Sequence, residues 1–416
     1  STTTIAGTLS FSRINNSSFT MVLGSMTVVR LGTFDMGTEA SPIPTGIKAS
    51  MILSYEAVPT VFFPLDIRDG GNFSVRGATK TPYSVVVSTD DLGTGENSMT
   101  LAQSVDVLGW QVGDVLTIGP GNAGSGVWGT ATVEERNIVA PLNGDRVTLN
   151  ANFSQIHYAT WTIQVTNITR NALIRSSGTA VNGSGEYSGY VRSLTSNATS
   201  FFLKYGEFAY LGRGTPYLHG VTLDNSAGVS GGGTVSSCTF HDNLHGFYAY
   251  LVNNLDFSDN IIYRSRDVAT ALAFDNVNNS LVRNNHIVAN GFDGITFSGP
   301  STRIRVEGNR SYGNFGRGFY LGADDSTFFN NWSFSNGNTS AGFEMADAQD
   351  DFFVGNESYS NESNGFTLDN AASSNQGRNT FIGGGSYANI YGISLSRSLS
   401  NVVVDMRLCY SRTGES

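Results

Sequence analysis

Charge is scarce in this chain. Asp, Glu, Lys and Arg make up 14% of the 416 residues, against about 25% in an average domain. The basic residues number 24 and the acidic ones 34, a net charge of −10. No basic stripe exists to displace counterions, which excludes nucleic acid as a partner. Proline is scarce too, at nine residues. No apolar run approaches the roughly 20 residues that a membrane-spanning helix needs. No secretory leader opens the chain, as in a mature or trimmed protein. The two cysteines, Cys238 and Cys409, lie about seven repeats apart, beyond the ~7 Å Cα separation that a disulfide tolerates. Both read as unpaired core thiols.

What is abundant is glycine, at 49 residues, and asparagine, at 38, on a 39% apolar background. These residues are periodic between 237 and 407. Asn260, Asn285, Asn309, Asn331 and Asn356 follow one another at steps of 25, 24, 22 and 25. A small residue before a bulky one recurs at the same period, as in Gly246-Phe247, Gly294-Ile295, Gly318-Phe319, Gly342-Phe343 and Gly365-Phe366. Two markers sharing one period indicate a repeat architecture. Within each unit the apolar residues alternate, as in Phe319-x-Leu321 and Phe343-x-Met345, the pattern of half-buried strands. Asn, Gly, Ser and Asp separate the strands and supply the turns. One unit cannot bury its apolar face, but a stack can. The predicted fold is all-β: a right-handed parallel β-helix of about 22–29 residues per coil, its hand set by the preference of parallel crossovers. The repeated asparagine is expected to form a hydrogen-bonded ladder at one corner.

The first 175 residues lack this period. Thr4-Ile5-Ala6-Gly7-Thr8-Leu9, Leu31 to Glu39, Gly70 to Gly77, Trp110 to Ile118 and Thr169-Arg170-Asn171 occur in that order. Together they resemble the eight-glycine domain of fibrocystin-like proteins and of the cell-migration-inducing hyaluronan-binding protein family, in which that domain leads into a β-helix. Gly32, Gly37, Gly71, Gly77 and Gly113 sit where strands turn sharply, which calls for positive φ or close backbone approach. Trp110 reads as an aromatic anchor before a turn. The resemblance implies strands ahead of Thr4, so either the chain was processed or a neighbouring molecule completes the edge. The expected organisation is an eight-glycine-like domain over 1–175, irregular first coils over 176–235, the regular β-helix over 236–410 and a tail over 411–416.

The resemblance also points to histidine-rich segments of the first coils as the place for chemistry. Here these hold His219, His241 and His245, read either as a metal or acid–base cluster or as ordinary turn residues. The histidine expected further on is absent at Arg266-Asp267-Val268-Ala269, which argues against inherited activity. A second candidate is acidic. Asp275, Asp324, Asp347 and Asp369 each follow the repeated strand, with Asp325, Asp350 and Asp351 nearby. Three readings stand: Asx turns, a calcium site built from Asp324, Asp325, Asp347, Asp350 and Asp351, or paired catalytic carboxylates. Arg310, Tyr312, Arg317 and Tyr320 offer material for a lyase, and outward tyrosines such as Tyr248, Tyr250 and Tyr263 for sugar stacking.

Thirteen Asn-x-Ser/Thr sequons occur. With Asn309, Asn331 and Asn356 assigned to the ladder, the acceptors expected to carry N-linked glycans are Asn15, Asn16, Asn72, Asn152, Asn167, Asn182, Asn197, Asn278, Asn338 and Asn361. No bound cofactor is expected apart from glycans and calcium. Low charge, many sequons and open helix ends favour an extracellular or cell-surface structural or adhesive glycoprotein, partnered by itself in a homo-oligomer or filament, or by extracellular glycans. The alternative is a polysaccharide-active hydrolase or lyase working on the acidic face.

Overall fold

A computed structural model describes residues 2–21, 24–54, 64–121, 133–139, 144–159, 162–181, 188–194, 200–213, 219–226, 231–266, 270–338, 340–369, 377–396 and 400–409. The chain winds as a right-handed parallel β-helix of three parallel sheets with twelve strands each. Sheet 1 runs from Thr2–Ile5 to Tyr391–Ser396, sheet 2 from Thr8–Ser10 to Val402–Val404, and sheet 3 from Ser17–Thr20 to Arg407–Cys409. Each coil contributes one short strand to each sheet.

The alternating pattern is what fills the interior. In sheet 1, Phe247, Leu272, Ile295, Phe319, Phe343 and Phe366 stand in register and point inward. Phe319, Phe343 and Phe366 stack with centroids 4.5 and 4.9 Å apart. Burial of each such ring contributes roughly 1.5–3 kcal/mol gross. The expected asparagine ladder exists. The Nδ2 groups of Asn260, Asn285, Asn309 and Asn331 each donate to the Oδ1 of the next asparagine, at 3.1, 2.9, 3.0 and 3.0 Å. The residue before each rung takes the left-handed conformation, as at Asp259, Asn284, Gly308 and Asn330, and turns the chain from sheet 2 into sheet 3.

The coils begin at Thr2, with Thr2–Ile5 paired in parallel to Ser25–Val28. The divisions expected at 175 and 235 fall inside continuous ladders: Ala172–Ser176 and Gly233–Ser236 are single strands of sheets 3 and 2. The early irregularity has one main source. Between Asn72–Arg76 and Ala172–Ser176 the third coil carries an inserted lobe with its own core, which includes Trp110, Leu116, Ile118 and Val165. Its antiparallel sheet holds Tyr83–Val85, Val115–Gly119, Glu134–Asn137 and Gln164–Asn167. Trp110 anchors it, donating Nε1–H to the Thr81 carbonyl at 2.8 Å. The lobe lies on the outer face of sheet 3, where Val115, Val133 and Ile168 pack with Tyr263, Val288 and Tyr312. Tyr83 stacks on His286 with centroids 4.0 Å apart. Of the punctuating glycines, Gly37 has φ 103°, and a Cβ there would meet the Arg76 carbonyl oxygen at 2.1 Å.

Cys238 is a buried free thiol, whereas Cys409 is exposed on the last coil rather than in the core. Asn167 and Asn361 are buried. The Asn167 amide donates to Asp114, and Asn361 is a rung of a second ladder. Neither has room for a glycan, so both expected acceptors are corrected. Asn15, Asn16, Asn72, Asn152 and Asn338 are exposed and Asn278 is half-buried. Asn182, Asn197 and the expected 411–416 tail lie outside the described residues. No described helix is long and apolar enough to cross a membrane.

Candidate active site

Sheet 1 presents its outward side chains in columns that follow the helix axis, one residue per coil at about 4.8 Å. One column reads Asp66, Arg192, Thr222, Tyr248, Ala273, Thr296, Tyr320 and Glu344. The neighbouring column includes Leu194, Asp224, Tyr250 and Asp275. A third lies two residues before each strand and holds His219, His245, Thr270, Asp293 and Arg317. Together these columns floor a groove along sheet 1.

Near its middle, His219 and His245 meet with ring centroids 3.9 Å apart, and His219 lies 4.4 Å from the Tyr248 ring. The repeat produces this contact, because both histidines occupy the same place in successive coils. His245 donates Nδ1–H to the Thr270 carbonyl at 2.7 Å. That bond fixes the tautomer and leaves Nε2 with a lone pair. Burial drives the His245 pKa down to about 4. Burial, together with the His245 charge, holds His219 well below the ordinary histidine value. Its Nδ1 is buried without a partner among the described residues. Both rings are therefore neutral and can accept protons. The Tyr248 hydroxyl donates to Asp275 Oδ2 at 3.3 Å.

Toward the N-terminal coils, Arg192 reaches Asp66 at 3.2 Å, and Arg68 reaches the same carboxylate at 2.6 Å. Tyr190, beside Asp66, Arg68, Arg192 and Arg213, is pushed up to about 12, first by burial. Toward the C-terminal coils, Arg317 lies between Glu344 at 2.9 Å and Asp293 at 3.2 Å, and over the Tyr320 ring at 4.3 Å. Burial raises the pKa of both carboxyls.

His241, expected beside His245, stands elsewhere. It ends Thr239–His241 of sheet 3. There it contacts Asp242 at 2.8 Å and Glu207 at 3.2 Å, and these carboxylates outweigh burial and raise it to about 9. The chain rounds a corner at Asp242, φ 55°, so residues 241 and 245 face different ways. The aspartates also part company. Asp275 is on the groove floor. Asp324, at the end of Phe319–Asp324, accepts from the Gln349 backbone and side chain. Asp325, Asp347 and Asp350 are turn residues with φ of 52°, 58° and 59°, and Asp350 pairs with Arg378. Asp351 is buried in a corner ladder, and Asp369 ends Asn364–Asp369. Among the described residues, no three His, Cys, Asp or Glu side chains gather to hold a metal ion, these aspartates included. Tyr263 and Tyr312 belong to the buried contact under the lobe, not to an open sugar platform. Arg310 lies over Trp332 on sheet 3, also away from the groove.

Arg68, Arg192, Arg213, Asp66 and Asp224 escaped the sequence reading because they fall in the aperiodic part. The histidine pair had a signal: His219-Gly220-Val221 and His245-Gly246-Phe247 share one motif at a one-coil step.

Residues 216–340 match the family described as a right-handed β-helix region. No curated protein matches the chain by sequence. Among solved structures, a point mutant of the periplasmic alginate epimerase AlgG superposes with a TM-score of 0.55 at 12% identity, over 95% of this chain and 79% of that one. The mannuronan C-5 epimerase AlgE4 A-module of Azotobacter vinelandii gives 0.40 at 13% identity over 95% and 88%. The tailspike gp61 of Pseudomonas phage phi297 gives 0.31 at 11% over 89% and 71%. At these identities the likeness establishes the fold. Nothing among these matches supports the eight-glycine resemblance. The AlgG match also corrects the expectation of a structural or adhesive filament glycoprotein, since that solved protein is named as an alginate epimerase. What the chain shares with that protein is the fold.

Proposed function

We propose that the protein is a polysaccharide-active enzyme, acting outside the cytoplasm, that removes the proton α to the carboxylate of a hexuronate unit bound along sheet 1. The observation that carries this reading is the pair of neutral, touching imidazoles, His219 and His245, beside Tyr248. A sugar carboxylate over Arg192 would be neutralised by its guanidinium, which makes the neighbouring C–H acidic. One imidazole takes that proton as the C–H bond breaks, and the electron pair delocalises into the carboxylate. The Tyr248 hydroxyl, oriented by Asp275, can then give its proton either to the departing glycosidic oxygen, as in a lyase, or back to carbon, as in an epimerase. The name of the AlgG match, an alginate epimerase, supports a uronate as substrate.

The test is incubation with polyuronates in D2O. Deuterium at the acidic carbon, or an unsaturated product, is expected from the native protein and is expected to be lost on His245→Ala. Absence of both from every hexuronate polymer offered would overturn the reading. A second reading has its own observation. Asp224 and Asp275 share a column two coils apart, a backbone spacing of about 9.6 Å, at the upper limit of the carboxyl separation in an inverting hydrolase. It would show as new reducing ends without unsaturation or exchange.

A further inference from the structure

The sheet 1 groove is electrostatically lopsided about the histidine pair. On the N-terminal side, Arg68, Arg192 and Arg213 stand around Asp66 and Tyr190, with Asp224 the next acid along the face. Cations there outnumber carboxylates. The middle is largely neutral, through Thr222, Ala273, Thr270 and Thr296, with Asp275 its one carboxylate among the described residues and that group engaged by the Tyr248 hydroxyl; the two threonine hydroxyls of residues 270 and 296 lie 3.3 Å apart. On the C-terminal side, Asp293 and Glu344 flank Arg317, the one cation of that face among the described residues, and Asp369 ends the strand one coil beyond Glu344. Carboxylates there outnumber cations. Tyr320 stands three coils from Tyr248 in one column, roughly 14 Å at the coil spacing. Each coil advances by about the length of one hexose in an extended chain, so a polymer lying along the axis places successive sugars over successive coils. A chain with a carboxylate on every unit would set one beside Asp293 and Glu344, where like charges repel in a partly buried setting. Carboxylate and guanidinium groups suit sugar hydroxyls as hydrogen-bond partners.

Resting on the polysaccharide reading above, we propose that the groove takes a heteropolysaccharide in which the acidic sugar between Arg192 and His219 is followed, toward the C-terminal coils, by uncharged sugars held by Asp293, Arg317 and Glu344. A homopolymer of uronate is then a poor substrate because its C-terminal-side units are repelled.

The test uses homopolyuronate oligosaccharides of increasing length with the full chain. The double variant Asp293→Asn with Glu344→Gln is expected to lower KM for long homopolyuronates at least tenfold and to leave KM for a trisaccharide unchanged. Arg317→Gln is expected to move KM for the long oligomers the other way. In the native protein, raising salt from low ionic strength to about 0.5 M should lower that KM relative to the KM for the trisaccharide, which shares the Arg192 attraction but not the repulsion, because repulsion between partly exposed charges is screened. Exchange at the acidic carbon with KM indifferent to salt and to all these changes would overturn the proposal and leave the uronate reading standing. No exchange or cleavage of any uronate polymer by native protein or variants would overturn both.

Discussion

Asp351 occupies a rung where its neighbours are neutral. At the corner between sheets 1 and 2, Ser326 donates its backbone N–H to Asp351 Oδ1 at 2.8 Å, and Asp351 donates its own to Asn379 Oδ1 at 3.0 Å. The side chain is 0% exposed, and Oδ2 is buried with no partner among the described residues. Burial, with the Asp324, Asp325 and Asp350 charges behind it, pushes the carboxyl up to about 9 from an unfolded value of 3.8. The folded state therefore binds a proton that the unfolded state has released throughout that interval. Stability is whole below the unfolded pKa and is lost as pH rises through the folded one. Between 3.8 and 7 the loss has a ceiling of about 4 kcal/mol, at about 1.4 kcal/mol per pH unit. Asp351→Asn removes the titration and supplies an amide. Asn379 donates its amide to the Ala348 carbonyl at 3.1 Å, three residues before Asp351. The equivalent acceptor for residue 351 is the carbonyl of Ala323. The variant is expected to be more stable by roughly 2–4 kcal/mol near pH 7 and by almost nothing near pH 4, a Tm rise of roughly 2–5 °C at the higher pH for a chain of this size. Thermal denaturation of both proteins at the two pH values decides it. An equal shift at both, or a loss at pH 7, would refute the protonated-rung account.

Three further outcomes are expected. Asn309→Ala should destabilise by about 2–4 kcal/mol, measured by chemical denaturation, because it leaves the Val282 carbonyl and the Asn285 amide groups unpaired in the interior. Gly37→Ala should cost upwards of 2 kcal/mol by the same measurement, since a Cβ at φ 103° collides with the Arg76 carbonyl, which is backbone and cannot swing aside. His219 and His245, both lowered below 6.5, contribute stability that is present above that pH and lost as pH falls toward 4. Replacing both by Gln should therefore flatten the acid limb of a Tm–pH profile while abolishing turnover.

The repeat was legible because its determinants are local in sequence and identical in every coil. A rung asparagine, a left-handed residue before it and an inward aromatic recur whether or not the coils are known to touch. The same logic would have exposed the second ladder. Asn290, Asn314, Asn336 and Asn361 each follow a rung of the first by five residues, and they donate along the axis at 2.8–3.1 Å. The lobe was opaque for the opposite reason. It interrupts one turn of the helix with antiparallel strands whose lengths match those of coil strands, so only the loss of period marked it. His241 was misplaced because a four-residue separation suggests adjacency. A corner intervenes, and adjacency across coils is set by register instead: His219 meets His245 over 26 positions.

The division of labour between faces also explains where chemistry can sit. Stability is concentrated inside the coil and at its corners, in the stacked rings and the buried amide columns. The outer face of sheet 3 is committed to the lobe through Tyr263, Val288 and Tyr312. The outward columns of sheet 1 answer to neither constraint. They can hold Arg192, Thr222, Tyr248 and Ala273 in succession without disturbing the register of Val191, Val221, Phe247 and Leu272 behind them. Among the described residues, a burial cost is visible at His219, whose Nδ1 has no partner there, and nowhere in the asparagine rungs. A polar atom left unpaired on a face free of structural duty marks a group kept for a ligand rather than for the fold. On that ground the His219–His245 contact is the place to begin substitution, ahead of any aspartate of the turns.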